Sequence, residues 1–139
     1  MELPESARTV IDSGRLLHLV TVNRDGSPQI SLVWGGLEGE EIVVASLRDN
    51  QKLKNIRRDP RVSFSIETDN VNVIGLQEYL VVHGTARVTE GGAADLLQRL
   101  AFVYMGPEAG RFPPGEDHPP GYITRITPER VGGVGPWAG

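Results

Sequence analysis

The sequence contains no cysteine, so disulfides, thiolate metal sites, iron–sulfur clusters and cysteine nucleophiles are all excluded. Aromatic residues make up only 6%, and basic residues are outnumbered, 14 against 18 acidic, for a formal net charge of −4. That sign argues against nucleic acid as the principal partner. No long apolar run exists. Leu16 to Val22 is among the longest and already contains His18 and Thr21, far short of the roughly 20 residues that span a bilayer. The amino end has no basic stretch leading into an apolar segment and a small-residue cleavage site, so a cytoplasmic protein is expected. At 139 residues with 39% apolar, the chain has the size and content of one domain with an ordinary core.

Glycine and proline are plentiful, at 17 and 10, but unevenly placed. They crowd residues 105–121, MGPEAGRFPPGEDHPPG, where no helix or strand period survives. This stretch is a loop, either a variable surface excursion or a lid. Elsewhere the period changes along the chain. Pro4 to Ser13 places Ala7, Val10 and Ile11 on one side of a short helix. LLHLVTV (16–22) and PQISLVW (28–34) flank an Asp25-Gly26 turn, a strong hairpin signal. EIVVAS (41–46) follows a turn at Glu38-Gly39-Glu40, and RVSFSIE (61–67) and YLVVHGTARVT (79–89) are rich in β-branched residues. Residues 91–104 turn helical, offering Leu96, Leu97, Leu100, Phe102 and Val103 for burial, and YITRITPERVGG closes the chain. Six strands at turn-length spacing predict a mainly β, closed or partly closed antiparallel barrel with short helices, since a flat sheet would leave apolar edges open.

Charge departs from an even mixture in one segment. Arg48 to Arg61 holds six basic residues against two acidic, a local +4 in an acidic chain, and contains both lysines, Lys52 and Lys54. Asp49 or Asn50 can cap a helix that must stop before Pro60, with Leu53 and Ile56 inward. Lysines and free amide groups at a helix start suit a phosphate. A solvated basic face is the plainer alternative.

GSPQISLVW, IVVAS, NQKLKNIRRDPRVSFSI, YLVVHGTARVT and ITPERVGGVGPW occur here in that order. In this order they resemble the flavin-binding split-barrel superfamily typified by pyridoxamine 5′-phosphate oxidase. The resemblance runs from about Ala7 to Trp137 and is greater to the branch of deazaflavin (coenzyme F420)-dependent oxidoreductases. It implies a six-stranded split barrel, a single domain over residues 1–139, and a homodimer with the cofactor between subunits. It further implies that Ser46, Asn50, Gln51 and Lys52 line the phosphate end, with Lys54 and Asn55 close by. Gln29, Ser31 and Val33 would face the tricyclic ring, and Ala45 would pass beneath it. Tyr79 and Trp137 would be neighbours of the ring across the interface, although a carboxyl-terminal tryptophan equally plugs its own barrel. Where the oxidase grips phosphate with an Arg-Lys pair, this chain has Gln51 before Lys52. The loss of that bidentate cation favours F420, whose longer charged tail Lys54, Arg57 or Arg58 could meet, over flavin mononucleotide (FMN).

No Ser-His-Asp order, no H-E-x-x-H and no interpretable carboxylate pair is present, and His18, His83 and His118 are scattered, so no metal site is expected. A chain poor in acids and bases suits hydride transfer, in which a cofactor carries the difficult step and the protein positions an unsaturated or quinone-like acceptor. No catalytic residue is singled out. Trp34, next to Gly35 and Gly36, is either a wall of the acceptor pocket or a core or interface residue. Paired β-branched residues, Val43 with Val44 and Val81 with Val82, leave one strand face in need of a cover, which a second copy would supply. An FMN-dependent oxidoreductase of the pyridoxamine 5′-phosphate oxidase type and a non-catalytic flavin- or deazaflavin-binding protein are the competing functions.

Overall fold

A computed structural model describes residues 1–138. Its elements are α1 (Glu5–Ile11), β1 (Leu17–Val22), β2 (Pro28–Val33), β3 (Gly36–Glu38), β4 (Glu41–Ser46), α2 (Gln51–Arg58), β5 (Arg61–Val71), β6 (Gln77–Glu90), α3 (Ala93–Tyr104), β7 (Tyr122–Val134) and a 3₁₀ turn (Pro136–Ala138). The strands form one antiparallel sheet in the order β2-β1-β5-β6-β7-β4-β3. The two outer strands, β2 and β3, are joined through Trp34 and Gly35 alone, so the chain passes from one edge of the sheet to the other and curls it into a barrel. The mainly β split-barrel expectation holds, with seven strands rather than six. The additional strand, β3, is three residues long and carries a glycine and a glutamate, too little to show an alternation.

Period-2 burial builds the interior. Leu17 and Leu19 of β1, Ile42 and Val44 of β4, Val62, Phe64 and Ile66 of β5, Leu80 and Val82 of β6 and Ile126 of β7 form one buried cluster. Each such side chain contributes roughly 1.5–3 kcal/mol by leaving water. Ala7, Val10 and Ile11 of α1, together with Trp137, close the end at which β1 begins. α2 lies across the other end with Leu53 and Ile56 inward. Two glycines allow close approaches. A Cβ at Gly35 would meet the Leu17 side chain at 2.6 Å, and one at Gly84 would strike the Thr127 carbonyl, where the β6–β7 register shifts between His83 and Gly84.

α3 covers the opposite face of β4, where Val43, Leu96, Leu100 and Ile123 form a second cluster. Val43 is therefore covered by this chain's own helix, and the need for an outside cover does not arise there. Phe102 and Val103, expected to be buried, are exposed because the inward stripe of α3 runs through Ala93, Leu96, Leu100 and Ala101. Residues 105–121 form no helix or strand, as the density of glycine and proline requires. Among the described residues no helix is long and apolar enough to cross a membrane.

Candidate functional site

The chain turns from β2 to β3 beside a cleft of about 230 Å³, lined by Val33, Trp34, Ala45, Leu97 and Phe112. Val33 and Ala45, 12 residues apart in sequence, meet here because the edge strand β2 comes round to the α3 side of β4. The β1–β2 register pairs Gln29 with Thr21, Ser31 with Leu19 and Val33 with Leu17, so all three β2 residues share one face. Gln29 and Ser31 are half-buried, and neither side chain has a hydrogen-bond partner among the described residues. The aromatic wall is firmly held. Trp34 stacks on Tyr104 with ring centroids 5.2 Å apart and planes 14° from parallel. The Tyr104 hydroxyl accepts from the Gly35 amide at 2.9 Å and lies 3.0 Å from the Arg15 and Gly35 carbonyl oxygens. Burial pushes the Tyr104 hydroxyl pKa up, so it stays protonated and the wall keeps its anchor.

From Ala45 the chain runs through Ser46 into the start of α2. Ser46 is buried, and its Oγ has no partner among the described residues. A buried hydroxyl without a hydrogen bond is uncommon and points to a polar group not supplied by this chain. Asn50 caps α2, its Oδ1 accepting from the Leu53 amide at 3.2 Å. The Gln51 and Lys52 amides have no partner among the described residues, as expected of first-turn donors. Three of the six basic side chains are engaged internally: Arg57 with Asp49 at 2.9 Å, Arg61 with Asp59 at 2.6 Å, and Arg58 on the Val22 carbonyl. Arg57 also stands 5.3 Å from the Tyr122 ring centroid. Arg57 and Arg58 are thus committed, and the cations of this segment left with neither an ion pair nor a side-chain hydrogen bond among the described residues are Arg48, Lys52 and Lys54. Lys54 and Arg48 are exposed, while Lys52 is half-buried, and desolvation pushes its pKa below the usual lysine value. A partly desolvated ammonium with no counter-charge, a buried unpaired hydroxyl and free helix amides together fit an anionic ligand, and the adjoining cleft fits a flat apolar one.

Asn55 has another task. Its Nδ2 donates to Thr21 Oγ1 at 3.0 Å and to Asn23 Oδ1 at 2.9 Å, and its Oδ1 accepts from Gln51 Nε2 at 2.9 Å and Arg58 Nη2 at 3.3 Å. Two donors and two lone pairs are all used, so this buried amide joins α2 to β1 and has nothing left for a ligand. Tyr79 lies on the outward sheet face opposite Glu67 and Val134, away from the cleft. Trp137 is buried in its own barrel core, and its indole Nε1 has no partner among the described residues. The structure brings Val33 and Ala45 together in the cleft, while Ser46 follows Ala45 on the strand that leads to α2; Tyr79 and Trp137 do not line that cleft. Leu97 and Phe112 were not foreseen: Leu97 read as a core residue, and Phe112 sits in a segment whose glycine and proline hide any period. Among the described residues no group of three or more histidine, aspartate or glutamate side chains could hold a metal. His83 instead faces Ser63, with Nδ1 2.6 Å from Oγ.

Comparison with solved structures finds the same fold in proteins of differing description. An F420 reductase is 23% identical with a TM-score of 0.71, over 94% of this chain and 98% of that one. A putative pyridoxamine 5′-phosphate oxidase from Listeria innocua is 19% identical with a TM-score of 0.68, over 94% and 96%. The heme storage protein HutZ from Vibrio cholerae is 17% identical with a TM-score of 0.63, over 96% and 95%. At such identities the likeness is one of fold. A family model described as pyridoxamine 5′-phosphate oxidase matches residues 3–135, nearly the whole chain, and the protein belongs to that family.

Proposed function

We propose that this protein is an oxidoreductase that binds coenzyme F420 in the cleft beside Trp34 and passes a hydride between it and an unsaturated or quinone-like small molecule. The observation that carries the reading is an apolar cleft walled by Val33 and by Ala45 of β4, a strand whose chain runs on within five residues into the start of α2, with three uncommitted cations at residues 48–54, Arg48, Lys52 and Lys54. A planar ring with a multiply charged tail matches both. Ser46 Oγ, the Gln51 and Lys52 amides and the three cations would hold the tail, Val33 and Ala45 would hold the ring, and Trp34 would face the acceptor. When bound in its reduced form, the deazaflavin supplies two electrons and a proton as hydride, and the acceptor takes its second proton from water. The chain's own part is to orient the ring and acceptor and exclude water.

The preference for F420 over FMN rests on cation geometry. The free positive charges are spread over residues 48–54 instead of forming the fork of an adjacent Arg-Lys pair, which suits several tail charges better than one phosphate. Equilibrium titration of the purified protein tests this. F420 is expected to bind at least tenfold more tightly than FMN, a difference of about 1.4 kcal/mol, and tighter binding of FMN would reject the preference.

The reading includes a homodimer. The outward face of β2, β1, β5 and β6 carries Ile30, Leu32, Val20 and Val81, with Ile30 63% and Leu32 55% exposed, and a groove of about 340 Å³ runs along it. The β5–β6 hairpin adds exposed Val71, Val73, Ile74 and Leu76. Apolar surface this continuous on one side of a sheet favours an isologous partner. The cleft is also smaller than the ~300–1,000 Å³ usual for ligand pockets, in keeping with a site that a second subunit completes.

A further inference from the structure

Phe112 belongs to two cavities at once. It lines the cleft shared with Val33, Trp34, Ala45 and Leu97, with its ring 5.2 Å from the Trp34 ring and tilted by 45°. It also lines a second cavity of about 170 Å³ behind it, bounded by α3 residues Asp95 and Gln98 and by Arg111, Pro113 and His118 of the loop. No other residue borders both. A space of about 150 Å³ is enough to take a benzene ring, so the rear cavity can receive the phenyl group if something displaces it from the front. Its polar lining makes that position the less favourable one for an apolar ring, so the forward position against Trp34 is the resting one.

What holds Phe112 forward is narrow. Across residues 106–119, the hydrogen bonds to the rest of the molecule among the described residues are two, both to one side chain. Gln98 Nε2 donates to the Gly110 carbonyl at 2.7 Å, and Gln98 Oε1 accepts from the Phe112 amide at 3.0 Å. The remaining hydrogen bonds, Arg111 and His118 on the Gly115 carbonyl and the Ala109 amide on the Gly106 carbonyl, are internal to the loop. Among the described residues no ion pair fixes the segment. The wall opposite, Trp34 on Tyr104, is by contrast tied to the backbone at Gly35.

We propose that Phe112 is the yielding wall that sets how large a flat aromatic acceptor the cleft admits, and that Gln98 is the positioning residue that holds it. The acceptor class follows from the surroundings: with Phe112 displaced, a flat ring can stack on the part of Trp34 that Phe112 covers at rest. The assignment deepens the redox reading above and rests on it, so the test has arms that fail separately. The variants are Phe112→Ala, the milder Phe112→Leu, and Gln98→Leu, which removes both loop bonds.

The first arm needs no cofactor. Acrylamide quenching of tryptophan reports Trp34, since Trp137 is buried, and is expected to rise at least twofold in Phe112→Ala and Gln98→Leu. Menadione, a flat bicyclic quinone, is expected to bind at least fivefold more tightly to Phe112→Ala than to the parent chain. The second arm compares reduction of menadione and of benzoquinone by F420-loaded protein. The kcat/KM ratio of the larger to the smaller quinone should rise at least tenfold in Phe112→Ala and Gln98→Leu, and less in Phe112→Leu. Gln98→Glu, which still accepts from the Phe112 amide, should return most of the original ratio. Unchanged quenching and unchanged menadione affinity would overturn the role of Phe112. Should the parent bind menadione as expected yet reduce neither quinone, the redox reading fails while the yielding wall stands. A uniform loss for both quinones would overturn selection by size.

Discussion

At the scale of single residues, Lys52 and Asn55 lie three positions apart on one helix and do opposite things. Lys52 is half-buried, with no acidic partner among the described residues and a pKa pushed down by desolvation. Its charge is therefore a cost to the free protein that a bound anion would remove, the arrangement expected where function is placed ahead of stability. The sign is definite: a lysine whose folded pKa lies below its unfolded value destabilises the fold fully below the folded pKa. The penalty fades as pH rises from there toward about 10.5. Lys52→Met should accordingly raise the melting temperature of the ligand-free protein near neutral pH, with the advantage shrinking as pH approaches about 10.5; calorimetry across that range checks it, and a lower melting temperature at pH 7 would contradict it. The sequence showed Lys52 as one of six cations in a cluster. It could not show that Arg57, Arg58 and Arg61 would find internal partners, because those partners include Asp49, Asp59 and a carbonyl at Val22, placed by the fold.

At the scale of elements, the joint between α2 and β1 is held by the four hydrogen bonds of Asn55, and the cationic helix start is positioned through it. Asn55→Leu would leave Thr21, Asn23 and Gln51 short of a partner inside the protein. An expected loss of roughly 3 kcal/mol follows from the cost of buried polar groups without hydrogen bonds, measurable by urea unfolding, and an unchanged midpoint would refute the joint. Most elements were legible in sequence. The Asp25-Gly26 hairpin, the alternation of β4 to β7, the α1 stripe and the stop of α2 before Pro60 all rest on local patterns that the barrel does not override. β3 was not legible, because three residues give no period and its pairing with β4 depends on the turn at Gly39. The exposure of Phe102 and Val103 was equally hidden, since helical period marks a stripe but not how wide a neighbour will cover it. Of the site, Val33, Ala45, Ser46 and Lys52 came from a resemblance along the chain, whereas Leu97 and Phe112 reach the cleft only through tertiary packing of α3 and the loop.

At the scale of the whole molecule, charge and apolar surface are segregated. A chain of net charge −4 keeps three free cations within residues 48–54, and a sheet face with Ile30, Leu32, Val20 and Val81 remains uncovered by its own helices. The second feature predicts self-association. Light scattering at micromolar concentration should give a mass near twice the 15.1 kDa of one chain, and a monomer would contradict a site shared between subunits. The first feature carries the proposed function, because a flat redox ligand with a charged tail would match both an apolar cleft and a cationic helix start. The most direct test is the affinity for F420 of Lys52→Gln combined with Lys54→Gln, against the parent protein at the same low salt. The account predicts binding weakened at least tenfold, with the difference narrowing as salt screens the tail. Equal affinity in the two proteins would contradict it.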